Sequence, residues 1–212
     1  MFCEALPRRK TSGMTCMKGR GCMTEKEIIG GLAAAIGVIG YGIYMHGVFR
    51  HRIRPHMFTW IIWGVVMSIG FAAQYFEDSG PGAWNLGVSA FATINIAVAS
   101  CFYGEKHITR SDWVVFIGAL SAIPVWLATH DPLWAVVIIS VIDAAAFYPT
   151  FRKSWAKPRE EGLEVYLLSV PQFLLSIVAL ERTTVTTVLY PATIVTLNAA
   201  LVVMLLWRRM KV

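Results

Sequence analysis

The chain is 212 residues long, 56% hydrophobic and only 15% charged, with a formal net charge of +6. A water-soluble domain of this length carries about 25% charged residues, so the composition excludes an ordinary soluble globule and implies a surface that meets lipid. The positive charge does not mark a nucleic-acid binder, because the Lys and Arg residues cluster beside apolar runs, where they act as topology signals.

Crossing a bilayer core as a helix takes about 20 mostly apolar residues. Residues 1–27 are a polar, basic N-terminal extension without the apolar centre of a signal peptide. Seven apolar runs follow, at 28–49, 57–76, 83–103, 112–129, 133–151, 163–180 and 185–207. Asp78-Ser79-Gly80-Pro81-Gly82 is a turn signal between the second and third runs. Only His130, Asp131 and Pro132 separate the fourth from the fifth, and Pro132 suits a first helical turn, which has no use for its N–H. Trp60, Trp63, Trp84, Trp113, Trp134 and Trp207 fall near the ends of runs, as interfacial aromatic belts require.

Basic residues orient the chain. Arg50, Arg52 and Arg54 follow the first run, Lys106 and Arg110 the third, Arg152, Lys153, Lys157 and Arg159 the fifth, and Arg208, Arg209 and Lys211 the last. The joints after the second and fourth runs have none, and the joint after the sixth has Arg182. The positive-inside rule therefore puts the C-terminus in the cytoplasm and, with seven spans, the N-terminus outside. Arg8, Arg9, Lys10, Lys18, Arg20 and Lys26 conflict with an outer N-terminus, and a translation start at Met23 would remove most of the conflict. The cysteines, Cys3, Cys16, Cys22 and Cys101, form no CxxC pair and have no His at zinc-finger spacing, so neither a metal nor a structural disulfide is expected.

The most informative pattern is an internal repeat at an offset of 103 residues. It sets Pro55 on Pro158, Thr93 on Thr196, Asn95 on Asn198 and Ala97 on Ala200. Thr-x-Asn is uncommon within an apolar span, so these pairs carry more weight than aligned Leu, Ala or Val. The expected fold is an all-α membrane protein of seven transmembrane helices in a 3+1+3 plan. Residues 28–103 are the first triple-helix repeat, 104–132 the linking helix and 133–209 the second repeat. Because each unit has an odd number of spans, the linking helix restores direction and makes the repeats parallel, related by an axis along the membrane normal.

Asn95 and Asn198 are the candidate solute-binding residues, since each amide offers two donors and an acceptor. Thr93 and Thr196, two positions away, fall on a different helix face and are expected to bond within their own bundle. Asp143 is the only acidic residue well inside a run, and carboxyls inside a bilayer face wet cavities or proton paths. It is the candidate for proton coupling. Gly47 and Pro149, near the inner ends of corresponding helices, are the candidate hinges. No HExxH, GxSxG or Walker-type motif is present, so an enzyme is not expected, and no cofactor is called for.

The 3+1+3 plan with the N-terminus out resembles the PQ-loop superfamily, which includes the SWEET (MtN3-type) sugar transporters. Tyr148-Pro149-Thr150-Phe151-Arg152-Lys153 looks like the family's Pro-Gln segment with Thr in place of Gln, and Asn95 and Asn198 match its substrate-facing asparagines. The first repeat departs from the pattern with His46-Gly47-Val48, and Pro171-Gln172 falls in the sixth run instead. The outer tryptophans expected in the family's second and sixth helices are absent, which weakens sugar as the substrate. The resemblance implies a bacterial inner-membrane transporter. It would move a small polar solute, sugar or amino-acid-like, by alternating access. The implied partners are that solute and the bilayer, with homo-oligomerisation left open. A non-transporting receptor of the same fold is the alternative.

Overall fold

The computed structural model of the chain describes residues 23–104, 110–129, 131–156, 158–159 and 161–211. Among these, the chain is helical throughout, as α1 (Glu25–Phe49), α2 (Met57–Phe76), α3 (Gly82–Tyr103), α4 (Arg110–Thr129), α5 (Pro132–Ala156), α6 (Leu163–Val178) and α7 (Val185–Lys211). Five of them, α1, α2, α3, α5 and α7, are long and apolar enough to cross a membrane, and α6 is a shorter apolar helix. Of the expected N-terminal extension, residues 1–22 lie outside the described residues. Its last three, Glu25 to Glu27, belong instead to α1, because a capping box starts the helix early. The Thr24 hydroxyl accepts from the Glu27 amide, and the Glu27 carboxylate accepts from the Thr24 amide.

The joints follow from local chemistry. Asp78 and Gly80 take positive φ in the turn after α2, where the sequence predicts it. Thr184 caps α7 by accepting from the Thr187 amide. At one end of the molecule the two long turns interlock, with the Glu181 amide donating to the Ser79 carbonyl and Lys26 Nζ donating to the Leu180 carbonyl. At the other end the Phe49 and Tyr103 rings meet edge to face, and Arg208 and Arg209 donate to the carbonyls of Trp155, Pro158 and Glu161. The first end carries Glu25, Glu27, Glu77, Asp78 and Glu181 against Lys26 and Arg182. The second carries Arg50, Arg52, Arg54, Arg152, Arg159, Arg208, Arg209 and Lys211.

Helix α3 packs between α1 and α2, and α7 packs between α5 and α6. Across the molecule α1 lies on α6 and α2 on α5, with α3 touching α6 and α2 touching α7. Helix α4 rests on α5 and α2. Small residues allow the closest approaches: a side chain at Gly30 would begin 2.6 Å from the Pro81 carbonyl oxygen.

The expected aromatic belts need correction at two positions. Trp84, Trp113, Trp134 and Trp207 are exposed, but Trp60 and Trp63 are buried in the core. Trp60 lies between Tyr44, tilted against it, and Trp63, which it meets edge to face, and Trp63 meets Phe147 of α5. Nearness to a run's end did not fix which way these two rings face.

Candidate functional site

Between the two groups of helices lies a small cavity of about 20 Å³. Six helices wall it: Tyr41 of α1, Trp60, Trp63 and Met67 of α2, Thr93 of α3, Asp143 and Phe147 of α5, Val165, Tyr166 and Ser169 of α6, and Ile194 and Asn198 of α7. The space holds a water or two.

Asp143 is 1% exposed, and neither carboxyl oxygen has a hydrogen-bond partner. Among the described residues lining the cavity none is Lys, Arg or His. The Tyr41 and Tyr190 phenols lie within electrostatic reach of the carboxyl. The Trp63 indole N–H and the Tyr190 hydroxyl are also buried without partners, and Tyr41 Oη approaches Met67 Sδ at 3.9 Å. A bare carboxylate in such surroundings is very costly.

Polar side chains close the acidic end. Gln172 of α6 donates through Nε2 to Asn85 Oδ1 at 2.7 Å and to Ser89 Oγ at 3.0 Å, both on α3. It fits there because Gly37 of α1 has no side chain; a Cβ at that position would stand 2.6 Å from Nε2. Gln74 Nε2 donates to the Thr187 carbonyl, and Ser176 Oγ to the Gly82 carbonyl, each at 2.8 Å. Toward the basic end, Tyr44 packs tilted against Trp60, and the Tyr166 hydroxyl donates to Glu161 Oε1 at 3.1 Å.

The structure keeps part of the sequence-predicted site and separates the rest. Asp143 and Asn198 both line the cavity. Asn198 donates one N–H back to the Ile194 carbonyl, which leaves a second N–H and the amide oxygen of its side chain. Asn95 does not join them. It is exposed on the outer face of α3, with Nδ2 donating to the Phe91 carbonyl of its own helix. The α3 residue that faces the cavity is Thr93, which was expected on another face, and Thr196 is exposed. Two residues along a helix turn a side chain by about 200°, which carries it from the inner face to the outer.

Gly47, a candidate hinge, is buried near the end of α1, and the helix runs unbroken through it. A side chain there would start 2.6 Å from Ile53 Cδ1, so the visible reason for glycine is the seat of Ile53. Pro149 falls within α5, and its side chain lies outside the described residues. Sequence reasoning missed Gln74, Asn85 and Gln172, all essentially fully buried. The signal was present: each is an amide within an apolar run, where an unpaired polar group is expensive.

No known protein family, curated protein or solved structure matches the chain. What fold and site define together is a protein helical among its described residues, with several helices long and apolar enough to span a membrane, around a small cavity lined by five aromatic rings and a buried carboxyl.

Proposed function

We propose that the chain is a membrane transporter that moves a small polar solute through this cavity by alternating access, with Asp143 coupling movement to protons. The observation that carries the reading is a buried carboxyl without a partner, on the wall of a small cavity where two helix bundles meet. In this reading α1–α3 and α5–α7 are two copies of one unit, as in PQ-loop and SWEET-like proteins, and α4 links them.

Several observations support the duplication. In each bundle the third helix lies between the other two, and across the seam the first helix of each bundle meets the second of the other. Polar contacts answer one another in the same way. Gln74 of α2 donates to the carbonyl of Thr187 in the first turn of α7, and Ser176 of α6 donates to that of Gly82 in the first turn of α3. Gly70 faces Tyr190 where Gln172 faces Asn85.

The buried face of α7, formed by Thr187, Tyr190, Ile194, Asn198, Leu201 and Val202, falls position for position on Gly82, Asn85, Ser89, Thr93, Ile96 and Ala97 of α3. This register pairs Asn198 with Thr93, two positions from the pairing suggested by the Thr-x-Asn matches. The corresponding polar pair across the cavity is then Thr93 with Asn198, and Tyr41 of α1 corresponds to Asp143 of α5.

The basic end faces the cytoplasm of a bacterial inner membrane in this reading, with the N-terminus outside. The bundles part alternately at the acidic seal of Gln172 and at the basic seal near Gly47 and Pro149. Asp143 has to be neutral while both seals are shut, and a proton does this when no solute is present.

Flux into proteoliposomes under an imposed pH gradient tests the proposal, with a labelled panel of sugars, amino acids and amines. At least one solute is expected to accumulate against its gradient. Asp143→Asn is expected to abolish accumulation while the protein still inserts and elutes as a folded species. Binding without flux of any solute would make the protein a receptor, and full accumulation by Asp143→Asn would remove Asp143 from coupling.

A further inference from the structure

We infer that the solute is an organic ammonium ion, held with its charge against the Asp143 carboxylate and its carbon groups against the rings of Tyr41, Trp60, Trp63, Phe147 and Tyr166. The inference deepens the transporter reading by naming the substrate class of the same cavity. The rings come from four helices, α1, α2, α5 and α6, so they surround the space from both bundles. Aromatic faces attract cations through their quadrupoles, and indole does so most strongly. Sugars and zwitterions need several convergent hydrogen-bonding groups. This wall offers mainly rings around one carboxyl, with Thr93, Ser169 and Asn198 as its small polar additions.

Ring packing alone would be an ordinary aromatic core. What distinguishes this one is the lone acid inside it, with both oxygens unpartnered and no basic residue among the described lining to answer it. Asp143 and Phe147 stand one turn apart on α5, as do Trp60 and Trp63 on α2, so carboxyl and rings present one face each. The acidic end adds a second, independent feature. Glu27, Asp78 and Glu181 border an open depression of about 470 Å³ together with Trp84 and Tyr75. These carboxylates raise the local concentration of cations over anions at that end. The inner space is about 20 Å³ as the helices stand, so the ion enters when the bundles part.

The test uses the purified full chain and reads melting temperature against ligand concentration, since a ligand that binds only the folded form raises it. Choline, tetramethylammonium and methylammonium are compared with 3,3-dimethylbutan-1-ol, which has the shape of choline without its charge. At least one cation is expected to raise the melting temperature saturably, and the neutral alcohol is not. Asp143→Asn is expected to raise the half-saturating concentration at least about tenfold, the size of losing one charged contact. Its melting temperature without ligand should equal or exceed that of the parent, because an unpartnered acid has been removed. Phe147→Leu, which keeps the carboxyl and removes a ring, is expected to weaken the same cation. The inference is overturned if no cation binds, if the alcohol binds as well as choline, or if Asp143→Asn binds unchanged. A cation that binds but is not moved in proteoliposomes would leave the ligand class standing and end the transport reading. Flux of a neutral sugar without cation binding would do the reverse.

Discussion

Replacing Asn198 with alanine is expected to lower solute flux about tenfold, and the same change at Asn95 is expected to leave flux within about twofold. The two residues have the same chemistry and lie in the same Thr-x-Asn setting, yet their surroundings differ. Asn198 is 4% exposed on the cavity wall, whereas Asn95 stands on the outer surface of α3 and bonds only its own backbone. Removing Asn198 takes away the polar group that α7 offers to a solute. One such hydrogen bond is worth about 0.5–1.5 kcal/mol, and about 1.4 kcal/mol is a tenfold change in rate. Removing Asn95 leaves the cavity untouched. Initial rates in proteoliposomes, normalised to inserted protein, check both, with whichever solute the flux panel identifies. Equal losses at the two sites would restore the pairing of asparagines and refute the register that puts Thr93 opposite Asn198.

Gln172→Leu is expected to destabilise the fold by about 2 kcal/mol, the largest effect on stability foreseen for a single polar side chain here. Gln172 is 2% exposed and holds α6 to α3 through two donated hydrogen bonds. Without it, Asn85 keeps no partner at all, because its Nδ2 already has none and its Oδ1 loses the only donor it has among these contacts. Each buried polar group left unpaired costs about 1–3 kcal/mol, while hydrogen bonds between membrane helices average about 0.6 kcal/mol. The unpaired group therefore dominates the loss. Replacing Asn85 with Leu as well should recover part of it, since removing both partners removes the penalty. Reversible unfolding in mixed micelles measures the singles and the pair. A single variant as stable as the parent would mean that the acidic seal is not held by this amide.

Much of the fold is legible in the sequence because hydrocarbon imposes simple rules. Apolar runs bounded by Arg clusters, by Asp78 to Gly82 and by Pro132 mark helices that the structure places within a few residues. Asp143 is legible for the same reason, as the one acid deep in a run. The faces of helices are less so. In an amphipathic soluble helix, polar residues mark the outer side, but here both sides are apolar and that signal vanishes. Asn95 and Thr93 are both polar, and only packing shows that the threonine faces inward. Trp60 and Trp63 misled in the same way, since an aromatic near a helix end suits either a lipid interface or a core. Gln172 was visible as an amide in an apolar run, but its partners lie more than eighty residues away. Nothing local identifies them.

Cysteine accessibility tests the account most directly. With Cys3, Cys16, Cys22 and Cys101 replaced by serine, single cysteines go in at Thr93, Asn198, Asn95 and Thr196. A membrane-impermeant thiosulfonate is then applied to proteoliposomes during turnover. The account predicts that Thr93→Cys and Asn198→Cys react, and that a bound solute slows both, while Asn95→Cys and Thr196→Cys stay unreactive in lipid. Reaction at the outer pair and silence at the inner pair would contradict a solute path between the two bundles.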